Sequence, residues 1–195
     1  MYVDPLNASA PAYPDWYRIT GNAIFNGPSN NRDLGNLWPS VDNDDGSSQM
    51  FVSQNVLVYG GGKNYIGADK VWDSNLLVFP GRWSGDSCLT CWSGGGHVFT
   101  NNTCYTPQSD SPTYFDSSPA GASCVANYSD PAQEPLLPYF ARNTYGTATG
   151  AFSVGCQGEL TLAGMQALGQ EVGSVVVKGY DAEGVLAHAR ALLGL

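Results

Sequence analysis

Basic residues are scarce in this chain: eight Lys and Arg stand against seventeen Asp and Glu, a net charge of −9 over 195 residues. Phosphate backbones are gripped by clustered cations, and here the few cations are scattered, so nucleic acid is not an expected partner. No apolar run approaches the roughly 20 residues that span a bilayer, so no membrane span is expected. Charged residues make up only 13% of the chain, while Gly (24) and Pro (12) are plentiful. That balance suits many short strands joined by turns better than a helical bundle. The G-x-S-x-G elbow, the P-loop and the zinc-protease H-E-x-x-H are all absent. "YGGGK" (59–63) ends in Gly-Lys but lacks the P-loop spacing and its Ser/Thr, and reads as a turn. The first residues, "MYVDPLNASAPAYPDW", lack the basic and apolar regions of a signal peptide. At 43% hydrophobic residues, the chain is long enough for one domain with a sizeable core.

What is present points outside the cell. There are five cysteines, and sequons at Asn7, Asn101 and Asn127. Lysine is rare, and Asn, Ser, Gly and Tyr are abundant. A secreted or cell-surface chain whose leader was removed, or the C-terminal part of a longer one, reconciles these features. "CLTC" (88–91) with Cys104 lacks a fourth zinc ligand at proper spacing, and the βαβ setting of a redox C-x-x-C is missing. Disulfides are therefore expected. One joins Cys104 to Cys88 or Cys91, another Cys124 to Cys156, and one thiol is left over.

The chain also repeats. "YRITGNAIFNG" (17–27), "MFVSQNVLVYGG" (50–61), "KVWDSNLLVFPG" (70–81) and "GHVFTNNTCYTP" (96–107) share one outline. Each runs from an apolar residue through mostly polar ones to an Asn, then through a short apolar stretch ending in an aromatic, to a turn. Aligned on Asn22, Asn55, Asn75 and Asn102, the units are 33, 20 and 27 residues apart. One coil cannot hide its apolar side chains, whereas stacked coils make a continuous core. Asn is expected at the equivalent place in every coil because it tolerates left-handed backbone angles and stacked amides bond along the ladder. Its place within the strand motif, instead of in the turn, favours stacked coils over an antiparallel sandwich. The expected fold is all-β, a right-handed parallel β-helix solenoid with a short C-terminal helical cap.

A single domain over 1–195 follows, with an extended segment at 1–15, regular coils over 16–107, and irregular coils and loops over 108–159. In the helix-strand-helix cap of 160–195, "LTLAGMQALG" predicts a short helix from Thr161 as N-cap to Gly169 as stop, and "GSVVV" a strand. Asp181 caps a second helix that places Val185, Leu186, Ala189, Leu192 and Leu193 on one face, a lid over the open end of the stack.

"DNDDGSSQMFVSQNVLVYGGGKNYIG", then "NLLVF", "GGHVFTNNTC", "LAGMQALGQEVGSVV" and "LAHARALLGL" resemble secreted right-handed β-helix proteins of the pectate-lyase-like class. The resemblance spans roughly residues 16–193, and the D-x-D-D-G-S motif and the G-H…N-N-T-C coil carry it. It implies the fold. It leaves activity open, because this scaffold carries lyases, glycosidases, epimerases and non-catalytic adhesins.

Chemistry is expected first at Asp42, Asp44 and Asp45, whose crowded carboxylates raise one another's pKa or recruit a cation. Hard oxygen ligands suit Ca²⁺, the one cofactor the cluster suggests. The plain alternative is an acidic turn capping backbone amides. Asp69 lies 24 residues after Asp45, and His97 28 after Asp69, each about one coil. Stacked in register, the cluster, Asp69 and His97 form a column with Lys63 and Lys70 beside it. Carboxylates on neighbouring coils could meet the separation of about 6.5–9.5 Å that an inverting glycosidase needs. A lyase would use bound Ca²⁺ with Lys63, Lys70 or Arg82 as base. Trp83 and Trp92, placed in loops, are the choice for a sugar-stacking platform with Lys70 and Arg82 nearby, or else they cover the flank. His188 is expected to be merely solvated. Two roles follow. One is an extracellular β-helix glycoprotein that binds or processes a polysaccharide, as lyase or glycoside hydrolase if catalytic. The other is a non-catalytic component of a matrix, appendage or filament, with self-association or assembly with other extracellular chains.

Overall fold

Runs of three or four residues between turn residues are too short for helices and long enough for one strand crossing each. The computed structural model describes residues 16–25, 40–43, 47–64, 67–80, 88–92, 95–116, 138–155 and 160–195. Within them the protein is mostly β, and its strands come in successive groups of three. The first group is β1 (Tyr17–Thr20), β2 (Ala23–Phe25) and β3 (Val41–Asn43). The second is β4 (Met50–Ser53), β5 (Val56–Val58) and β6 (Gly62–Asn64). The third is β7 (Lys70–Asp73), β8 (Leu76–Val78) and β9 (Leu89–Trp92). The fourth is β10 (Val98–Thr100), β11 (Thr103–Thr106) and β12 (Thr113–Asp116). The fifth is β13 (Tyr139–Ala141), β14 (Thr144–Thr147) and β15 (Ser153–Gly155). There follow β16 (Leu160–Thr161), helix α1 (Leu162–Ala167), β17 (Val175–Lys178) and helix α2 (Ala182–Leu193).

From β1 to β12, and again at β14, each strand pairs with the one three places on. This gives three sheets: β1-β4-β7-β10-β13, β2-β5-β8-β11-β14-β17 and β3-β6-β9-β12-β15-β16. All pairings are parallel except the last, β15 with β16, which is antiparallel. Because the register never slips, inward residues form continuous rows. In the first sheet the row is Ile19, Val52, Trp72, Phe99 and Phe140. In the second it is Ile24, Leu57, Leu77, Cys104, Tyr145 and Val176. These rows join Val41, Leu89 and Val154 of the third sheet in one buried core. Each side chain buried in full there contributes about 1.5–3 kcal/mol. Cys88 and Cys104 are joined by a disulfide, their Cα atoms 6.2 Å apart, which selects Cys88 of the two expected partners.

The repeat read from sequence is not one strand but two, wrapped around a corner. Asn22, Asn55, Asn75 and Asn102 lie between strands of the first and second sheets, stacked directly on one another. Asn22 Nδ2 donates to Asn55 Oδ1 at 3.0 Å, Asn55 Nδ2 to Asn75 Oδ1 at 3.0 Å, and Asn75 Nδ2 to Asn102 Oδ1 at 2.9 Å. Each of these oxygens also accepts the backbone N–H of the Asn in the layer before, at 2.9–3.1 Å. The left-handed backbone expected of the Asn belongs to its predecessor: Gly21 (φ 68), Gln54 (φ 54), Ser74 (φ 56) and Asn101 (φ 55). One such residue turns the corner, at a cost of about 1–2 kcal/mol where it is not Gly. The bonded Asn beside it repeats that corner in every layer. The ladder also runs past residue 107, because Asn102 N donates to Asn143 Oδ1 at 3.0 Å.

At the C-terminal end, Thr161 caps α1 through Gly164 N, Gly169 is left-handed (φ 76), and Asp181 caps α2 through Glu183 N and Gly184 N. The expected lid is placed differently. Val185, Ala189, Leu192 and Leu193 of α2 pack on Val56, Leu76 and Val78, outward residues of the second sheet, so α2 covers a flank and not the end. Leu186, expected on the same face, is exposed. The end of the core is closed by α1, whose Met165 is fully buried with Leu162 and Leu168 against it. No described helix is long and apolar enough to cross a membrane.

Candidate functional site

Alternation along the strands decides which of the expected residues can meet. Val41 and Asn43 point inward, so Asp42 between them points out, and its register neighbour Lys63 lies beside it. The two are ion-paired, Lys63 Nζ to Asp42 Oδ1 at 3.1 Å, with the lysine buried and the carboxylate one-third exposed. Lys70 lies two residues before inward Trp72 and takes the same side. It is fully buried, and its Nζ donates to the Asn43 carbonyl at 3.3 Å. His97, two residues before inward Phe99, lies in the adjacent layer and is equally buried.

The interior position determines the chemistry of His97. Burial first, and the charge of Lys70 second, push its pKa down to about 4. The imidazole is therefore neutral at physiological pH, and neither ring nitrogen has a hydrogen-bond partner among the described residues. Next to Lys70, whose Nζ bonds the Asn43 carbonyl, Asn43 Nδ2 donates to Asn64 Oδ1 at 3.0 Å, and Trp72 Nε1 to the same oxygen at 3.1 Å. Asp69 occupies a different corner (φ 56), partly exposed, and burial raises its pKa. A Cβ on Gly96 would meet its Oδ1 at 2.7 Å, so Asp69 lies over the residue that precedes His97.

The expected column thus divides into two sides of a sheet corner. Asp42 and Lys63 lie outside the third sheet, and Lys70 and His97 lie inside, with Asp69 at the rim. Asp44, Asp45, Arg82, Trp83, Asn7, Asn127, Cys124 and Cys156 lie outside the described residues. Cys91 and Trp92 are placed on β9 by their backbone alone. Among the described residues no group of three or more His, Cys, Asp or Glu side chains is placed to hold a metal ion. Asn101, the described sequon, is exposed and engaged: its Nδ2 donates to Asp73 Oδ1 at 2.6 Å and its Oδ1 accepts from Arg142 Nε at 2.9 Å. His188, expected in solvent, is half-buried on α2, and burial lowers its pKa.

A second buried cluster centres on Glu171, which carries no sequence signal. The last ladder amide, Asn143 Nδ2, donates to Glu171 Oε2 at 3.2 Å. Tyr145 Oη donates to Glu171 Oε1 at 2.7 Å, and Ser174 Oγ to Oε2 at 2.5 Å. Burial raises the Glu171 pKa above its ordinary value near 4.5, against the pull of those three donors. A carboxyl raised in the folded state stabilises fully below its unfolded pKa, and that stability is lost as pH rises through the folded value. Glu171→Gln is therefore expected to flatten the decline in unfolding free energy between pH 4 and pH 8, measured by urea denaturation at each pH. Parallel profiles for the two proteins would contradict this. Asn143 does carry a signal, since "YFARNTYG" (139–146) has the apolar-polar-Asn-aromatic outline. Its 41-residue distance from Asn102 hides it. No protein-family model, curated protein or solved structure matches this chain.

Proposed function

We propose that this chain is a right-handed parallel β-helix whose role is that of a non-catalytic scaffold in an extracellular matrix, appendage or filament. Crossovers between parallel strands of one sheet are right-handed in about 98% of cases, which supports the handedness. The Cys88–Cys104 disulfide and the exposed sequon at Asn101 support an oxidising compartment. One observation carries the non-catalytic reading. Lys70 and His97 are 0% and 1% exposed, and Lys63 is held by Asp42, so among the described residues the candidate basic groups do not share a groove. Groups sealed from solvent cannot reach a polymer, whereas they can bond the interior together.

The test is a panel of neutral and acidic plant and algal polysaccharides, with and without chelator. No cleavage is expected. Cleavage that is lost in Asp42→Asn would overturn the reading. A second reading, polysaccharide processing, is favoured by Asp69 alone. Its partly exposed carboxyl holds a proton to higher pH than an ordinary aspartate, as a general acid must. Under that reading, cleavage would be lost in Asp69→Asn.

A further inference from the structure

We propose that copies of this chain stack head to tail, the last layer of one molecule pairing with the first layer of the next. This names the partner in the scaffold reading and rests on it. The first observation is the polarity of the ladder. In every later layer an Asn Oδ1 accepts bonds from the layer before it, but Asn22 Oδ1, in the first, accepts none among the described residues. At the other end, Ser174 receives Asn143 N on its Oγ at 2.8 Å. Its own N–H has no following Asn to reach, and it turns back to the Glu171 carbonyl at 3.0 Å. One end of the molecule therefore offers an acceptor, and the other an N–H at the matching register position that would exchange its bond to the Glu171 carbonyl for it.

The second observation is register. Among the described residues β1 pairs only with β4, β2 only with β5 and β17 only with β14, so each has an edge that no described strand covers. Val175 continues the row of Thr144, and Ala23 begins the row of Val56. One more step in that register sets Ala23, Ile24 and Phe25 beside Val175, Val176 and Val177. It also sets Asn22 beside Ser174, and Gly21 beside Gly173, both left-handed (φ 68 and 76). The edge cation Lys178 falls beyond the three residues that β2 covers.

The third observation is where apolar surface is left bare. Tyr17 (72% exposed) and Phe25 (68%) lie on the first layer, and Val172 (53%), Val175 (51%) and Val177 (44%) on the last. Head-to-head contact would bring two Asn22 acceptors together, and tail-to-tail contact two donor ends. Antiparallel β16 closes the third sheet and α1 covers the core beside it, so the contact is confined to the edges of the first two sheets. A head-to-tail contact that does not close on itself gives an open series of oligomers.

Sedimentation velocity of the full chain over a concentration series tests this. The sedimentation coefficient is expected to keep rising without a plateau at dimer. Phe25→Lys and Val177→Lys, at exposed positions and checked for unchanged thermal unfolding, are each expected to weaken association at least about tenfold. An equimolar mixture is expected to give a one-to-one dimer, because the first variant keeps a sound last layer and the second a sound first layer. A monomer at every concentration overturns the proposal. So does a closed dimer that Phe25→Lys abolishes and Val177→Lys leaves intact, which would be head-to-head. The polysaccharide panel run on the Phe25→Lys protein judges the scaffold reading separately, since that variant does not depend on stacking.

Discussion

Replacing Asn75 by Leu is expected to lower the unfolding free energy by about 4 kcal/mol. Asn75 is fully buried. Its Oδ1 accepts Asn55 N at 3.1 Å and Asn55 Nδ2 at 3.0 Å, and its Nδ2 donates to the Val52 carbonyl at 2.9 Å. Leucine fills similar volume but offers none of these bonds. Each buried group left unpaired costs about 1–3 kcal/mol, far more than the apolar gain of the substitution returns. Against a domain stability of about 5–15 kcal/mol the loss is severe. Asn22→Leu is the control. Asn22 is exposed in the first layer, where water can replace the lost bonds, and the expected cost is under about 1 kcal/mol. Urea denaturation of both variants gives the comparison. Equal losses at the two positions would mean that the ladder does not hold the layers.

The second large effect is expected at Gly62. A Cβ there would sit 2.6 Å from Trp72 Cζ2 and 2.8 Å from Cζ3. The indole cannot move aside, because it is fully buried and its Nε1 is tied to Asn64 Oδ1 at 3.1 Å. Gly62 does not have a left-handed backbone, so entropy alone would make Gly62→Ala stabilising by about 0.4–1 kcal/mol. Overpacking costs about 1–3 kcal/mol and exceeds that gain. The variant is therefore expected to be destabilised by about 2 kcal/mol. Adding Trp72→Leu should make the alanine at 62 nearly free, a non-additivity that a double-mutant cycle reads directly. An additive result would place the indole elsewhere.

These two sites show what the sequence makes legible. The ladder could be read because Asn22, Asn55, Asn75 and Asn102 each stand in the same local pattern, and the amide stacking follows from that pattern alone. Its mechanism at the corner could not. Gln54, Ser74, Asn101 and Arg142 share no one side-chain chemistry, yet all take the left-handed turn (φ 54–56), because the repeat fixes their backbone and keeps their side chains out of the core. The split of the expected site was decipherable in principle. Lys63 and Lys70 fall on different sheets, and their opposite faces follow from alternation once strand boundaries are known to one residue. Composition and spacing do not give boundaries that finely. Gly62 facing Trp72 and Glu171 closing the ladder are contacts between layers, set by packing across residues far apart in sequence. The placement of α2 had the same origin. Its apolar stripe is visible in the sequence, but nothing there marks Val56, Leu76 and Val78 as the outward residues that receive it.

The most direct measurement is a set of side-chain amide cross-peaks by NMR on isotopically labelled protein. Nuclear Overhauser contacts are expected between the Nδ2 protons of Asn55 and those of Asn75, and between Asn75 and Asn102, residues 20 and 27 apart. Absence of both, with contacts across antiparallel neighbours in their place, would contradict a chain that winds as stacked layers.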